Sequence, residues 1–326
     1  IQYALSISQE DATWIQQVTT RSLVDETLYF KIAENKSLDT RIGSIVIEAD
    51  KDKKETIKII QAGKREDVVV LNVAKAGTLN QLVSYSQKNQ IINLKLTGLL
   101  NGDDIRFIRE MAGRDSNGNK TEGQLQILDL LEASIVAGGD YYYYKSSKKY
   151  YINDNTLTNY VFYQCENLSS IEIPKTVIKI GDYAFYDCKS LTSIDIPNSV
   201  TEIENDAFAY CTSLTSIDIP ESVTTIKEKV FYGCTNLVSA TIPSKIATLI
   251  TKVPYGLTSY KDVSAVFAEC TTLKKVYVKS VNPPAIKYDT FSEYSYDYAT
   301  LYVPEGCKEA YLEHSGWQKF KTIVEE

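Results

Sequence analysis

The sequence predicts an α+β, mainly β fold, in which a small antiparallel β-sandwich precedes a right-handed solenoid of stacked repeats with one short parallel strand each. The first 63 residues alternate apolar and polar positions between charged turns, as half-buried antiparallel strands do. The octet SLTSIDIP begins at Ser190 and again at Ser213, 23 residues later. A repeat of this length cannot bury its own apolar face, so neighbouring copies must stack.

Composition limits the function classes. The chain has 326 residues, which predicts two domains or a domain followed by a solenoid. Its formal net charge of −7 argues against nucleic-acid or anionic-membrane partners, which require a basic field. No apolar run approaches the roughly 18 residues of a membrane span. The one histidine, His314, cannot build a His-rich metal site, so we expect neither a metal nor a cofactor.

Residues 1–63 predict the sandwich. The segments YALSIS, LYFKIA, SIVIEA and TIKIIQAG alternate in period 2 and are separated by polar or charged turns. Trp14 is the large aromatic available to fill their core.

The following segment, about 64–127, predicts a cap that contains helices. The stretch Thr78 to Gln81 has a capping-box pattern, and NGDDIRFIREMAG places its apolar residues on one helical face. Strands on either side of this helix suggest a parallel pair. Repeats then run from about 128 to 280, and a second cap covers about 281–326.

Each repeat contains an apolar–x–apolar strand core, often closed by proline. Because alternate side chains of a strand face opposite ways, the middle residue must point outward. In chain order these residues are Lys95, Asp129, Glu172, Asp195, Asp218, Thr241, Tyr277 and Tyr302.

Cysteines recur in the same register, each three residues after a phenylalanine: Cys165, Cys188, Cys211, Cys234 and Cys270. Small apolar thiols at one inward position of every rung predict a buried column. Bridges between neighbouring rungs are conceivable, but five members cannot all pair, so we expect reduced thiols. Cys307 lies outside this register.

Two resemblances follow from these motifs. Residues from about 64 to the end resemble BspA-type leucine-rich repeats of bacterial surface proteins, through the SLTSIDIP–SV–I–AFAYC units and the closing TLYVPEGCKEAY. Residues 1–63 resemble a BACON domain, with an Ig-like sandwich, through Trp14, AEN at 33–35 and TRIGSIVIEA. The first resemblance implies secretion or lipid-anchored display and binding of host proteins or surface components. The second implies glycan binding, although many such modules act as spacers.

Two surfaces are candidates for binding. One is the outward face formed by Asp129, Glu172, Asp195, Asp218, Tyr277 and Tyr302, which is either a solvated acidic face or a site for a basic partner or divalent cation. The other is the aromatic loop of Tyr141, Tyr142, Tyr143 and Tyr144, whose rings either pack on the repeats or bind.

The function predicted is therefore non-enzymatic binding or adhesion by a secreted or surface-displayed monomer that recognises a host or bacterial protein or glycan. The alternative is a structural spacer that presents another module. An enzyme would need a nucleophile with a base; the one histidine, His314, has only Ser315 beside it in the sequence, and we expect no catalytic pair there.

Overall fold

The structure is a computed structural model that describes residues 4–7, 15–18, 29–32, 41–50, 53–61, 68–255 and 259–326. Backbone contacts divide the chain into two compact units, Ile1–Val68 and Val69–Glu326. Among the described residues, no helix combines the length and the apolar character needed to cross a bilayer.

The described residues of the first unit form antiparallel strands. One sheet has the order β1-β4-β5, and the other pairs β2 with β3; the strands are β1 Ala4–Ile7, β2 Ile15–Val18, β3 Tyr29–Ile32, β4 Arg41–Asp50 and β5 Lys53–Gln61. Ile15 and Ile45 are buried. These pairings are the type that the period-2 pattern predicts. The face-to-face packing of a sandwich stays a prediction, and Trp14 lies outside the described residues.

The second unit begins with a cap of parallel strands and short helices: β6 Val69–Val73, α1 Leu79–Leu82, α2 Tyr85–Lys88, β7 Asn93–Leu100, α3 Gly102–Met111 and β8 Ile127–Ile135. The strands β6, β7 and β8 pair in parallel, with α3 between β7 and β8. A capping box starts α3: the Asn101 side chain accepts from a backbone amide of the first turn, and the Asp104 side chain accepts from the Asn101 backbone amide.

The capping box predicted at Thr78 is wrong. Thr78 precedes α1, but its side chain makes no capping bond and donates instead to the Lys75 carbonyl. The first turn of α1 is held by Asp104, whose carboxylate accepts from the Leu79 amide at 2.9 Å. The box lies one helix later, where Ser84 and Gln87 cap α2. The first turn of α1 is therefore capped by Asp104, which is distant in the sequence, and not by the neighbouring Thr78.

The strand cores form two parallel sheets along the repeats. The first has the order β14-β12-β8-β7-β6 and the second β16-β18-β21-β22-β23, with the new strands β12 Ser170–Glu172, β14 Ser193–Asp195, β16 Ser216–Asp218, β18 Ser239–Ile242, β21 Lys275–Val278, β22 Thr300–Val303 and β23 Thr322–Glu325. Between β14 and β16 the ladder is interrupted, although the Thr215 amide still donates to the Thr192 carbonyl at 3.3 Å.

The expectation of one strand per repeat is wrong, because a further parallel sheet, built from a different segment of each repeat, also runs along them. It consists of two-residue strands in the order β11-β13-β15-β17: β11 Thr156–Leu157, β13 Lys179–Ile180, β15 Glu202–Ile203 and β17 Thr225–Ile226. Each pairs with its neighbour 23 residues away, so both sheets share the repeat. Strands this short leave no alternation to detect in a sequence.

The buried core of the repeats contains a stack of phenylalanines. Neighbouring rings lie 5.2–5.5 Å apart and within 23° of parallel, in the order Phe162, Phe185, Phe208, Phe231, Phe267 and Phe291. This separation is close to the roughly 4.8 Å between neighbouring strands, so one ring fits each rung. The stack continues one ring beyond the cysteine register, to Phe291.

The C-terminal part closes the stack. It contains a hairpin of β19 Thr251–Tyr255 and β20 Ser259–Val263, the helices α4 Glu293–Tyr298 and α5 Lys308–Glu313, and a 3-10 helix at Trp317–Lys319. Another hairpin, of β9 Tyr143–Lys145 and β10 Lys148–Tyr150, lies before the repeats. Trp317 is buried against Phe291, and its indole N–H donates to the Pro284 carbonyl at 2.7 Å. The Trp317 ring, whose N–H has this partner, therefore covers Phe291, the last phenylalanine of the stack.

Candidate functional site: a groove along the strand face

The outward row follows the strand register. Glu172 pairs with Asp195 across β12 and β14, and Asp218 lines up with Thr241, Tyr277 and Tyr302 across the second sheet. The carboxylates of Glu172, Asp195 and Asp218 are exposed, and Thr241 and the two tyrosines are half-buried. No ion pair or hydrogen bond of the described residues uses these three carboxylates.

Asp129 differs from the other acids of the row. Its carboxylate accepts from the Lys95 ammonium at 2.8 Å and from the Leu131 amide at 3.0 Å, and its side chain is only 25% exposed. Burial raises the Asp129 pKa, but the bonds from Lys95 and Leu131 outweigh it and leave that pKa below its usual value. The expectation of four equivalent exposed acids therefore needs correction, since three are free and one is neutralised.

The row is the floor of a groove, here called the strand-face groove, that runs from Glu172 to Tyr302. A cavity of about 660 Å³ is lined by Glu172, Asp195 and Asp218, and a second of about 490 Å³ by Tyr277 and Tyr302. The two cavities share Asp218 and Lys279, so they adjoin.

The acidic part of the groove is bordered by the turns that follow the strands. Pro197 and Pro220 contribute to its wall, as do Lys175 and Lys279. Glu221 bonds the Ser244 amide and hydroxyl, at 3.0 and 2.7 Å, and lies 3.8 Å from Lys279. Because Glu221 has these partners, Glu172, Asp195 and Asp218 supply the unpaired negative charge of this acidic part among the described residues.

The other end of the groove is aromatic. Tyr277 and Tyr302 stack with their ring centroids 4.6 Å apart and their planes 15° from parallel. Stacked half-buried rings present a flat, preformed edge that loses little entropy on binding. The groove thus changes from carboxylate to aromatic along its length.

The aromatic loop leads into the β9–β10 hairpin, and its four tyrosine rings differ in burial. Tyr142 and Tyr143 are buried, Tyr141 is half-buried and Tyr144 is 39% exposed. The Tyr142 hydroxyl contacts Thr158 at 2.8 Å and donates to the Asn159 carbonyl, and the Tyr143 ring covers the Arg109 guanidinium at 4.6 Å. Burial raises the pKa of Tyr143 to about 12, with the Arg109 charge opposing it.

Our sequence reading missed a second aromatic column. Tyrosines stack edge to face or face to face along the repeats, with neighbouring centroids 4.9–5.4 Å apart: Tyr160 with Tyr183, Tyr163 with Tyr186, Tyr186 with Tyr210, and Tyr210 with Tyr232. The signal was available, because the first two pairs are each separated by 23 residues. The repeat therefore carries two aromatic columns.

The five cysteines in register are buried and free, and Cys307 is half-buried and free. Four thiols donate to the phenylalanine carbonyl 26 or 39 residues earlier, at 3.1–3.3 Å: Cys188 to Phe162, Cys211 to Phe185, Cys234 to Phe208 and Cys270 to Phe231. Burial raises the pKa of all five thiols, that of Cys270 to about 12. Protonated buried thiols are poor nucleophiles and poor metal ligands.

One carboxylate on the repeats has an unusual environment. Burial raises the pKa of Asp206 to about 6, against the opposing effect of Lys229. Asp206 adopts a left-handed backbone, with φ 53°, and it bonds the Tyr183 hydroxyl. It lies among the acids Asp182 and Glu228, outside the strand-face groove.

Metal-ligating side chains are not clustered in the part of the chain that the structure describes. No group of three or more His, Cys, Asp or Glu side chains there could hold a metal ion. His314 accepts from the Gly316 amide at 3.2 Å through Nδ1, a local turn contact.

Family models match two parts of the chain. The model of the BspA type leucine rich repeat region matches residues 155–263 in six copies. The model of the BACON family, "Putative binding domain, N-terminal", matches residues 4–62. A search of curated proteins found no match.

Three solved structures are similar at low identity. The leucine rich repeat protein of T. pallidum is 22% identical, with a TM-score of 0.32, over 48% of this chain and 74% of that chain. The pneumococcal vaccine antigen PcpA is 21% identical, with a TM-score of 0.41, over 73% and 58%. A leucine-rich repeat protein from Bacteroides ovatus is 15% identical, with a TM-score of 0.35, over 90% and 58%. The two family models confirm the resemblances drawn from the sequence: the chain carries a BspA-type leucine-rich repeat region preceded by a BACON domain.

Proposed function

We propose that the chain is a non-enzymatic, secreted or surface-displayed module that binds a protein partner through the strand-face groove. The observation that carries this proposal is the groove itself, in which three unpaired carboxylates lead into the stacked Tyr277 and Tyr302. The partner that fits is an extended basic segment of a host or bacterial surface protein.

Charge and register support that partner. Like charges one rung apart destabilise a sheet by a few tenths to about 1 kcal/mol per pair. Thr241 occupies the equivalent position in the next rung, so the fold accepts a neutral residue there. Cations bound between Glu172, Asp195 and Asp218 would relieve the repulsion, and steering by such charge is sensitive to salt.

The proposal includes the bounds of the two domains. We assign residues 1–63 to a BACON-like sandwich and 64–326 to the solenoid, with caps at about 64–127 and 281–326. The first unit then either binds glycan or spaces the solenoid from its anchor. The second candidate function, a spacer for the whole chain, is favoured if the groove binds nothing.

The test compares a groove variant with a matched control. The groove variant is Glu172→Thr, Asp195→Thr, Asp218→Thr; the control, Glu122→Thr, Glu305→Thr, Glu313→Gln, removes the same charge from exposed positions elsewhere. Titration calorimetry with an octalysine peptide at low salt should show binding to the parent and the control. We expect the groove variant to bind about tenfold more weakly, and salt to weaken the parent.

A panel of host-matrix proteins and a glycan array, both probed with the intact chain, then extend the test to natural partners. Capture that the groove variant loses and the control keeps supports the groove. If the groove variant binds octalysine and every captured protein as tightly as the parent, the groove is only a solvated face. The spacer function then replaces the binding function.

A further inference from the structure

A further cavity lies against the β9–β10 hairpin, apart from the strand-face groove. It has a volume of about 500 Å³ and shares no lining residue with the groove; its wall includes Lys148, Lys149, Tyr151, Asn153, Thr156 and Asn159. Ammonium, hydroxyl, amide and aromatic groups thus converge on one cleft.

The hairpin that forms the cleft is held firmly. Its turn residues, Ser146 and Ser147, have φ of 49° and 63°, the left-handed pair that a two-residue hairpin turn requires. At the base, the buried Tyr142 hydroxyl contacts Thr158, and the Tyr142 amide donates to the Tyr150 carbonyl at 3.1 Å. A ligand would therefore meet a preformed site.

The cleft carries positive charge that nothing nearby neutralises. Among the described residues, no carboxylate lies within 4.0 Å of the Lys148 or Lys149 ammonium group; Lys148 lies over the Tyr150 ring at 5.1 Å and Lys149 over the Tyr141 ring at 4.5 Å. Lys179, by contrast, is held by two glutamates. Lys148 and Lys149 are therefore available to an anionic ligand.

An unused aromatic surface lies beside these cations. Tyr151 is 50% exposed, and within the part of the chain that the structure describes its ring contacts no other ring. An exposed ring can stack on the apolar face of a sugar, and amide and hydroxyl groups can bond its hydroxyls. The ammonium groups supply the partner for an anionic substituent.

We propose that this cleft binds an acidic glycan, with Lys148 and Lys149 on the carboxylate, Tyr151 stacked on the sugar ring, and Asn153 and Thr156 on its hydroxyls. An acidic glycan fits better than a membrane or a nucleic acid, because those partners require a broad basic field that a chain of net charge −7 does not offer. The site is independent of the strand-face groove.

The test uses titration calorimetry on the full chain with trigalacturonate, and with neutral galactotriose as the matched sugar. We expect binding of the acidic sugar only, and a loss of about tenfold in the Lys148→Thr, Lys149→Thr variant. A Lys245→Thr, Lys274→Thr control, which removes two exposed lysines outside the cleft, should bind as the parent does. Tyr151→Ala should weaken binding about threefold.

Several outcomes would overturn the proposal. Absence of trigalacturonate binding, or equal loss in the two lysine variants, would remove the site. Tighter binding of phosphatidylserine vesicles than of trigalacturonate would reassign it to a lipid surface. If Tyr151→Ala binds trigalacturonate as tightly as the parent, Tyr151 does not stack on the sugar ring, and the cleft binds anions and not a glycan. Octalysine binding to the groove is measured on the same variants, so the failure of one site is distinguishable from failure of the other.

Discussion

The interior of the repeats and their strand face obey different rules. Inside, two positions keep their residue type over five rungs: a phenylalanine, whose rings stack 5.2–5.5 Å apart, and a buried cysteine. On the strand face, the equivalent position changes from lysine through four acids and threonine to tyrosine. Packing restricts the interior to shapes that stack at the rung spacing, whereas the outward position is free to vary. The strand face is therefore where binding chemistry can be placed without loss of the fold.

The largest effect should come from breaking the phenylalanine stack. Phe208 is buried between Phe185 and Phe231, with centroids at 5.2 and 5.4 Å. We expect Phe208→Ala to lower the free energy of unfolding by about 3–5 kcal/mol, through lost burial and the cavity left behind. Urea denaturation followed by circular dichroism measures this change.

The matched aromatic control is Tyr288→Ala. Tyr288 is 74% exposed, so its removal should alter stability by less than about 0.5 kcal/mol. A loss below about 1 kcal/mol in Phe208→Ala would show that the stack does not hold the repeats together.

The thiol column should have an intermediate effect. Cys211 is buried, and its Sγ–H donates to the Phe185 carbonyl at 3.2 Å. Cys211→Ala removes this bond and leaves a small cavity, so we expect a loss of about 1–2 kcal/mol. Cys307→Ala, at the half-buried cysteine, should change stability by less than about 0.5 kcal/mol.

Thiol titration checks the same contrast without a mutation. All six cysteines are free, and burial raises the pKa of the five in the column, so native protein should show one rapidly reacting thiol, that of Cys307. Denatured protein should show six. Rapid reaction of most thiols in the native protein would contradict the buried column.

The sequence was most informative where the repeat is strict. The 23-residue spacing of cysteine and phenylalanine predicted the register that places Glu172 beside Asp195. The same register places Lys95 beside Asp129, so the ion pair that neutralises Asp129 could have been predicted from their shared position.

Other features have no local signal. The capping of α1 by Asp104 joins residues 25 apart in the chain, and tertiary folding alone brings them together. Likewise, the two cavities of the groove depend on how turns such as that at Pro220 stand above the strands. Periodicity specifies which side chains face outward, but it does not specify the depth of the surface that they line.

Asp206 lies on the repeats but belongs neither to the core nor to the groove. Its folded-state pKa, about 6, exceeds its ordinary value of 3.8, mainly through burial. The folded protein therefore binds the proton more tightly than the unfolded chain does. The stability contributed by neutral Asp206 is present below about pH 3.8 and is lost as pH rises through about 6.

The smallest effect should come from Asp206→Asn, which keeps the shape and removes the charge. Asparagine tolerates the left-handed backbone of this site, and its amide oxygen can still accept from the Tyr183 hydroxyl. After allowance for solvent screening, we expect a gain of about 1 kcal/mol at pH 7 and none at pH 4, measured by urea denaturation at both pH values. Asp187→Asn, at the left-handed aspartate 3.4 Å from Lys189, is the control and should not stabilise the protein. An equal gain at both pH values would show that burial of the Asp206 charge has no part in the effect, because only a titrating group makes the gain depend on pH.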